Sequence, residues 1–391
     1  MFSDKTIKNI QTSVLAENIS GWLVYDYRNI NPFMAELIGK ISNITRPYWL
    51  WIPENGLPRL LVSYVDQSRF NHLGIPTIFF LNRNDMVKKL SRFFIKGQII
   101  AMEYSPNAEI PRVSKIDSGT LELVRSLGVE IVTSANIIQN TTQLWTAKQL
   151  ESHITAGKKL TSVVQQAFNY IGENLESKPT EYDISQFIQS RFADENLVLS
   201  DGPVVAANEH SSDPHFDPKP ENSYVIKSGD WILIDLWSRL KSKNSMFADI
   251  TWLGYVGEEI PNEYQKVFEV VIGARDVAVS YLENAFKYGN EVQGWQVDQV
   301  SRNYINKSGY GIYFNHRLGH SLGMEVHGNA VNLDSWETHD TRYLVPGIAV
   351  TIEPGIYLPD FGARSEINLY MSDQGPKVTT KKQDSVILIN H

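Results

Sequence analysis

The sequence predicts a protein of two domains, a small α/β domain followed by a larger α+β domain. The chain has 391 residues, whereas a single domain ordinarily has about 100–200. Before residue 140, strand-like and helix-like stretches alternate, as they do in α/β domains. After it, long helical patterns separate groups of strand-like segments, which is typical of an α+β domain.

The first domain is predicted at residues 1–143. Apolar runs rich in aromatic and β-branched residues predict strands at 21–25, 48–52, 59–65, 77–81, 98–102 and 129–132. Helical spacing of apolar residues predicts helices at 32–41, 85–95 and 115–127. The polar stretch from Pro53 to Gly56 predicts a hairpin turn between the second and third strands.

The second domain is predicted at residues 144–391. Thr146 and Gln149 have the spacing of a capping box, which predicts the start of a long helix. Three further helices are predicted, one from about residue 180, one at 262–287 and one that ends at Gly309. Strand-like segments lie between the helices, at 203–206, 231–235, 247–255, 349–353 and 364–371.

The composition excludes several classes of function. Lys and Arg total 36 against 44 Asp and Glu, so the basic surplus of a nucleic-acid-binding protein is missing. The chain has no cysteine, which excludes disulfides, thiolate metal sites and a cysteine nucleophile. The sequence has no apolar stretch of a membrane helix and no signal-peptide core near Met1. We therefore expect a cytoplasmic protein without a membrane or nucleic-acid partner, in which His, Asp and Glu hold any metal.

Two groups of side chains are candidates for chemistry. Four carboxylates occupy strand-like settings in the second domain: Asp235, Asp249, Glu353 and Glu366. Burial of an unpaired charge costs several kcal/mol, so such groups are normally ion-paired, hydrogen-bonded or bound to metal. Seven of the nine histidines follow residue 200. Several of these lie in two polar or glycine-rich loops, His210 and His215 in the first and His316, His320 and His327 in the second.

The order of these residues resembles that of a known family, the pita-bread metallopeptidases. The matching features are Asp235 in a strand, Asp249 before Ile-Thr, the Gly-His-x-x-Gly loop around His320, Glu353-Pro-Gly, and Arg364-x-Glu366. The family includes Xaa-Pro aminopeptidase, prolidase and methionine aminopeptidase, with creatinase as a metal-free relative. The resemblance covers essentially the whole chain. It implies a creatinase/prolidase-like α/β domain followed by a pita-bread catalytic domain.

The resemblance also implies a site for two divalent metal ions, Mn, Co or Zn. Asp235 would bind one ion, and His320 with Glu353 the other. Asp249 and Glu366 would bridge the two. Two cations about 3.5–4 Å apart repel each other, and bridging carboxylates offset that repulsion.

The implied function is hydrolysis of short peptides, as an Xaa-Pro aminopeptidase or an Xaa-Pro dipeptidase. Glu353 would handle the proton of the nucleophile. His215 and His327 would contact the substrate and the tetrahedral intermediate, and Arg364 would receive a substrate carboxylate. The resemblance further implies a homodimer.

Three alternatives stay open at this point. The fold also occurs as a catalytically silent module that binds a peptide or protein, and as a metal-free, creatinase-like amidinohydrolase. Separately, Gly319-x-Ser321-x-Gly323 fits the nucleophile elbow of α/β-hydrolases. That elbow needs a strand before the serine and a helix after it.

A long segment at 238–246 separates Asp235 from Asp249, which predicts an extended hairpin loop.

Overall fold

The computed structural model describes residues 3–199 and 201–390. The chain divides into two compact units between Leu144 and Trp145. The division lies one residue after the predicted boundary between residues 143 and 144. Within the described ranges, no helix is long and apolar enough to cross a membrane.

The N-terminal unit is built on one mixed sheet. Its strands are β1 (Gly21–Tyr27), β2 (Pro47–Pro53), β3 (Arg59–Ser63), β4 (Thr77–Phe80), β5 (Ile99–Met102) and β6 (Glu130–Thr133). Across the sheet their order is β4-β3-β2-β1-β5-β6, with β2 antiparallel to both its neighbours and the other pairs parallel. The helices of this unit are α1 (Asp4–Ala16), α2 (Pro32–Ile38), α3 (Arg83–Leu90), α4 (Ser118–Ser126) and α5 (Ala135–Thr142).

The predicted strands agree with the observed ones to within two residues at each end, but two helices were not predicted. Helix α1 buries Ile10 and Val14 on one face, although its overall composition is polar. Helix α5 (Ala135–Thr142) ends in a polar stretch directly before the predicted domain boundary. There the hydroxyl groups of Thr141 and Thr142 donate to the carbonyl groups four residues earlier, so each hydroxyl has a partner inside the helix.

The C-terminal unit contains four long helices among its described residues: α6 (Ala147–Glu173), α7 (Glu181–Asp194), α8 (Asn262–Lys287) and α9 (Gly294–Lys307). Helix α6 begins at the predicted capping box, in which Thr146 and Gln149 exchange hydrogen bonds. Helix α8 has the predicted bounds. Gly309 follows the end of α9 with φ of 87°, a left-handed conformation that glycine adopts without strain.

The strands of this unit are β7 (Val204–Ala207), β8 (Trp231–Ser238), β9 (Ala248–Val256), β10 (Ser321–Leu322), β11 (Ala349–Ile352), β12 (Gly355–Tyr357), β13 (Gly362–Arg364), β14 (Ile367–Ser372), β15 (Gly375–Val378) and β16 (Ile387–Ile389). They form sheets of order β16-β9-β8-β7 and β10-β11-β14-β15, together with the pair β12-β13. The strand predicted at 364–371 is interrupted, and Glu366 lies between β13 and β14. The interruption follows from its backbone, because the Glu366 N–H donates to the carbonyl of Thr251 on β9.

Strands β8 and β9 are covered on both faces. Trp231, Leu233 and Leu253 pack into the core that contains α8 and α9, whereas Ile232 and Ile250 pack into the core that contains α6 and α7. Because side chains alternate along a strand, Asp235 continues the face of Leu233. The aspartate therefore points to the side on which the second sheet lies.

Candidate metal centre

The β8–β9 hairpin puts both predicted aspartates on one face. In its antiparallel register, Asp235 stands opposite Thr251 and Trp237 stands opposite Asp249. Directly opposed residues share a face, and so do residues two apart on one strand. Asp235 and Asp249 are therefore neighbours, although fourteen positions separate them in the sequence.

The two glutamates come from the adjacent sheet. Ile352, the last residue of β11, pairs with Ile367, the first residue of β14. Glu353 follows the first strand and Glu366 precedes the second, so both glutamates lie at the same end of this ladder. The backbone bond from Glu366 to Thr251 connects that end to β9.

His320 reaches the same place from the edge of this sheet. It directly precedes β10, which pairs with β11. The His320 N–H donates to Oγ1 of Thr351 at 2.9 Å, and its carbonyl accepts from the Thr351 N–H at 2.8 Å. These two bonds fix the backbone of the histidine against β11.

The structure brings the five predicted ligands together. One ligand atom each from Asp249, His320 and Glu366 lies within 4.8 Å of the other two, and all three side chains are buried. Nε2 of His320 is 3.7 Å from Oδ2 of Asp249 and 3.5 Å from Oε1 of Glu353. Asp235 lies beside Asp249, whose carboxyl it perturbs.

The hydrogen bonding of this cluster is incomplete. Within the described cluster, three buried carboxylate oxygens have no hydrogen-bond partner, namely Oδ1 of Asp235, Oδ1 of Asp249 and Oε1 of Glu366. A buried oxygen without a partner costs about 1–3 kcal/mol or more, so such atoms are exceptional in folded proteins. A set of carboxylates with one imidazole is a donor set for borderline or hard divalent cations. The residues present therefore fit the metal ions that the resemblance implies.

The pKa values of the clustered carboxyl groups also favour a bound cation. Burial and the nearby charge of Asp235 raise the pKa of Asp249 well above its usual range. Burial and the charge of Asp249 do the same to the pKa of Glu366, and burial raises the pKa of Glu353. These carboxyl groups resist simultaneous ionisation unless a cation compensates them.

His320 has the protonation of a metal ligand. Burial lowers the pKa of its imidazole, which favours the neutral form. Nδ1 lies 3.2 Å from the carbonyl oxygen of Ser321, and a carbonyl only accepts. Nδ1 therefore carries the hydrogen, and Nε2 presents its lone pair to the carboxylates.

Arg364 lies in the cluster, and each of its three side-chain nitrogens has a hydrogen-bond partner. Its Nη2 donates to Oδ2 of Asp235 at 2.7 Å, Nε donates to Thr251 at 3.0 Å, and Nη1 donates to the Tyr357 hydroxyl at 2.9 Å. Burial opposes its charge, but the surrounding anions raise its pKa well above the usual value. The role of Arg364 as receiver of a substrate carboxylate stays a prediction, made for a buried guanidinium whose three nitrogens already have partners. The structure makes Arg364 the partner of Asp235.

Two threonines that were not predicted as site residues orient the two glutamates. The Thr251 hydroxyl donates to Oε2 of Glu366 at 2.9 Å, and the Thr351 hydroxyl donates to Oε1 of Glu353 at 3.0 Å. Thr251 follows Asp249 by two positions, and Thr351 precedes Glu353 by two. The two-residue period of a strand was thus the available sequence signal, since it puts each threonine on the face of a ligand.

The two remaining predicted histidines differ in placement. The ring centre of His327 is 4.3 Å from that of His320, and His327 is exposed. His215 is exposed on its loop, where its N–H donates to Asp213 at 3.0 Å. Among the described residues, no hydrogen bond or ion pair connects His215 with the predicted ligands. The structure thus places the ring of His327 against that of His320.

The nucleophile-elbow alternative is excluded by the local structure. Ser321 belongs to the two-residue strand β10, and residues 323–333 contain no helix. The elbow needs a turn from a strand into a helix that exposes the serine hydroxyl. Here the serine is fully buried.

Comparison with known proteins agrees with this geometry. Residues 156–373 match the sequence model of metallopeptidase family M24. The Xaa-Pro dipeptidase of Pyrococcus horikoshii is 34% identical over 189 residues, which cover 47% of this chain and 48% of that protein. An uncharacterised peptidase of Bacillus subtilis is 30% identical over 187 residues, 48% of each chain. The chain thus spans about half the length of the relatives it matches in sequence.

Two solved structures resemble the whole chain. A dipeptidase from Mycobacterium ulcerans has a TM-score of 0.74 at 19% identity, covering 99% of this chain and 98% of its own. A recombinant prolidase from Thermococcus sibiricus has a TM-score of 0.65 at 21% identity and 99% coverage of both chains. These likenesses confirm the predicted fold, an α/β domain and a pita-bread domain. Because the family model covers more than half of its residues, the chain belongs to metallopeptidase family M24.

Proposed function

We propose that this protein is a dinuclear metal-dependent peptidase that hydrolyses short peptides, with Xaa-Pro bonds as the first substrate class. The observation that supports this most strongly is the group of three buried carboxylate oxygens without partners beside a neutral imidazole. The retained ligand set disfavours the silent binding module and the metal-free amidinohydrolase. Neither alternative explains why several buried carboxylates lie together with too little positive charge to offset them.

Asp235 would hold one ion, His320 and Glu353 the other, while Asp249 and Glu366 would bridge them. Bound there, two divalent ions would lower the pKa of a shared water molecule and polarise the scissile carbonyl. Because the ligands already lie on two sheets joined by backbone hydrogen bonds, little of the site would need to reorganise on metal binding.

The protein's own groups would supply the proton transfers. Glu353 is oriented by Thr351 and is the group we assign to accept the proton of the attacking water. His327 presents an exposed imidazole beside the cluster, so a bound peptide can reach it. We keep His215 as a substrate contact, one that a bound peptide would bridge to the cluster. Arg364 would fix the orientation of Asp235.

The printed names of the relatives support the choice of substrate. The relative from P. horikoshii is an Xaa-Pro dipeptidase, and a structural neighbour from Thermotoga maritima is an X-Pro aminopeptidase. A dipeptidase and an aminopeptidase differ in whether residues may follow the proline. The homodimer and the cytoplasmic location stay predictions of the resemblance and of the sequence.

A peptide panel tests the proposal. The purified protein, stripped of metal and reloaded with Mn, Co or Zn, is incubated with Xaa-Pro and Xaa-Ala dipeptides and with Xaa-Pro-Yaa tripeptides. We expect metal-dependent release of the N-terminal residue, with the Xaa-Pro peptides cleaved fastest. The Asp249→Asn variant is the matched blank. No turnover of any peptide with any of the three metals would contradict the proposal.

A further inference from the structure

A buried ion pair on α9 lies behind the segment that leads to the metal centre. Arg302 Nη2 donates to Oδ1 of Asp298 at 2.9 Å, and Nε donates to Oδ2 at 3.1 Å. Asp298 is fully buried and Arg302 nearly so. The guanidinium lies between the rings of Phe314 and Trp336, at 4.2 and 4.6 Å from their centres. Burying such a pair carries a large desolvation cost, which further hydrogen bonds must offset. The partners in those hydrogen bonds are the groups that the pair holds in place.

The pair binds the backbone of three alternate residues. Arg302 donates to the carbonyl oxygen of Phe314 at 2.9 Å and to that of His316 at 2.8 Å. Oδ1 of Asp298 accepts from the N–H of Leu318 at 2.8 Å. This stretch belongs to no helix or strand. The two side chains therefore supply hydrogen bonds that a neighbouring strand would otherwise provide.

Leu318 connects this restraint to two predicted metal ligands. Its carbonyl accepts from the N–H of Glu353 at 2.8 Å, so its two backbone groups join Asp298 on one side to Glu353 on the other. Two positions later comes His320, bonded to β11 through Thr351. A displacement of Leu318 would move Glu353 and His320 together. These are the two residues assigned to the same ion.

We infer that Asp298 and Arg302 are positioning residues for the ion that His320 and Glu353 would hold. This inference rests on the proposed function. The pair acts through the backbone of Leu318, whereas Asp235 on β8 is held separately by Arg364. Loss of the pair should therefore weaken the binding of one ion and spare the other. Removal of a group that orients a metal ligand typically lowers metal affinity about 10–100-fold.

Calorimetric titration of the metal-free protein with Co²⁺ tests the inference. The Arg302→Lys variant keeps a positive charge beside Asp298 but cannot donate to two carbonyl groups in the same fork geometry. We expect one of two binding events to weaken about 10–100-fold and the other to stay unchanged. The control is Ile188→Ala, which opens the core around α7. It should lower the melting temperature yet keep both binding events.

A milder variant keeps the test decisive if Arg302→Lys does not fold. The hydroxyl and the N–H of Ser335 both donate to Oδ2 of Asp298. Ser335→Ala removes only the hydroxyl and should weaken the same binding event by a smaller factor. Unchanged affinities in the folded variants, or equal weakening of both events, would overturn the inference. Fewer than two ions bound to the wild-type protein would instead overturn the proposed function and, with it, this inference.

Discussion

Among the described residues, Arg364 is the one cationic side chain directly against the four predicted carboxylate ligands, and it lies against Asp235. Arg364 pairs with its Oδ2, which leaves Oδ1 of Asp235 and one oxygen each of Asp249 and Glu366 without partners. The part of the chain that the structure describes thus supplies one compensating cation to a cluster of four acids. The charge that remains on the ionised cluster is negative, and bound divalent ions would offset it.

The acids of the cluster were predictable as candidate ligands, because an acid at the end of an apolar run is costly unless something binds it. Arg364 was predictable as a neighbour of the cluster, but its hydrogen-bond partners were not. A sequence shows that a guanidinium is near a carboxylate motif, but not which oxygen it donates to. Its bonds to Asp235 and Tyr357 depend on the meeting of three strands.

His153 provides a test of electrostatics away from the cluster. It is fully buried, with Nδ1 2.7 Å from the carbonyl of Phe247 and Nε2 2.7 Å from Thr379. Burial lowers its pKa to about 4. Since the unfolded chain takes up a proton near pH 6.5 and the folded chain does not, stability is complete above that pH and is lost as the pH falls towards 4. The expected loss between pH 7 and pH 5 is about 2 kcal/mol.

The measurement is urea unfolding at pH 7 and pH 5, with EDTA present so that metal binding does not contribute. The His153→Gln variant is the reference, since it keeps a donor and an acceptor but has no proton to gain. The wild-type protein should lose about 2 kcal/mol more than the variant does. Equal losses in the two proteins would contradict a neutral, buried His153.

At the scale of elements, the strands and long helices followed from periodicity and capping, and the exceptions have local causes. Helix α5 was not predicted because it ends in polar residues, among them threonines whose hydroxyl groups bond within the helix. The strand predicted at 364–371 is two strands, because the backbone of Glu366 bonds to β9 instead of continuing one ladder. Cross-sheet bonds of this kind involve residues over a hundred positions apart, so no local pattern reveals them.

Gly319 allows the segment that leads to His320 to approach β11 closely. Gly319 forms an antiparallel β-bridge with Leu333. A Cβ at its position would lie 2.1 Å from the carbonyl oxygen of Thr351. That oxygen belongs to β11 and cannot move freely. Gly319→Ala should therefore push the His320 segment away from β11, at a cost of about 1–3 kcal/mol in stability.

Chemical unfolding and metal titration of Gly319→Ala measure both effects. We expect lower stability together with weaker binding of at least one metal ion. Gly323→Ala is the matched control, because its Cβ would meet no atom closer than 3.6 Å. Wild-type stability and metal affinity in Gly319→Ala would show that the two elements are not packed as described.

At the scale of the whole molecule, the residue types in the cluster are those that the amino-acid composition leaves available for metal binding. A chain without cysteine must hold metal with His, Asp and Glu, and the cluster contains one histidine and four acids. All five lie in the C-terminal unit. Metal binding should thus stabilise that unit, and a ligand present at a hundred times its dissociation constant contributes about 2.7 kcal/mol.

Hydrogen–deuterium exchange with and without EDTA locates that stabilisation. We expect faster exchange after metal removal in peptides from β8, β9, β11 and β14. Peptides from the N-terminal sheet, β1 to β6, should exchange at unchanged rates and serve as the internal control. Uniform protection in both conditions would mean that the carboxylate cluster is stable without a cation.

The metal content of the purified protein tests the central claim most directly. Metal-stripped protein is reloaded with Mn²⁺, Co²⁺ or Zn²⁺, dialysed, and analysed by atomic spectroscopy beside Asp249→Asn and Glu366→Gln, which alter the two proposed bridging ligands. We expect two equivalents per wild-type chain and loss of bound metal and peptidase activity in both variants, with circular dichroism spectra unchanged. A wild-type chain that holds no divalent metal, or variants that keep full metal content and activity, would contradict the account.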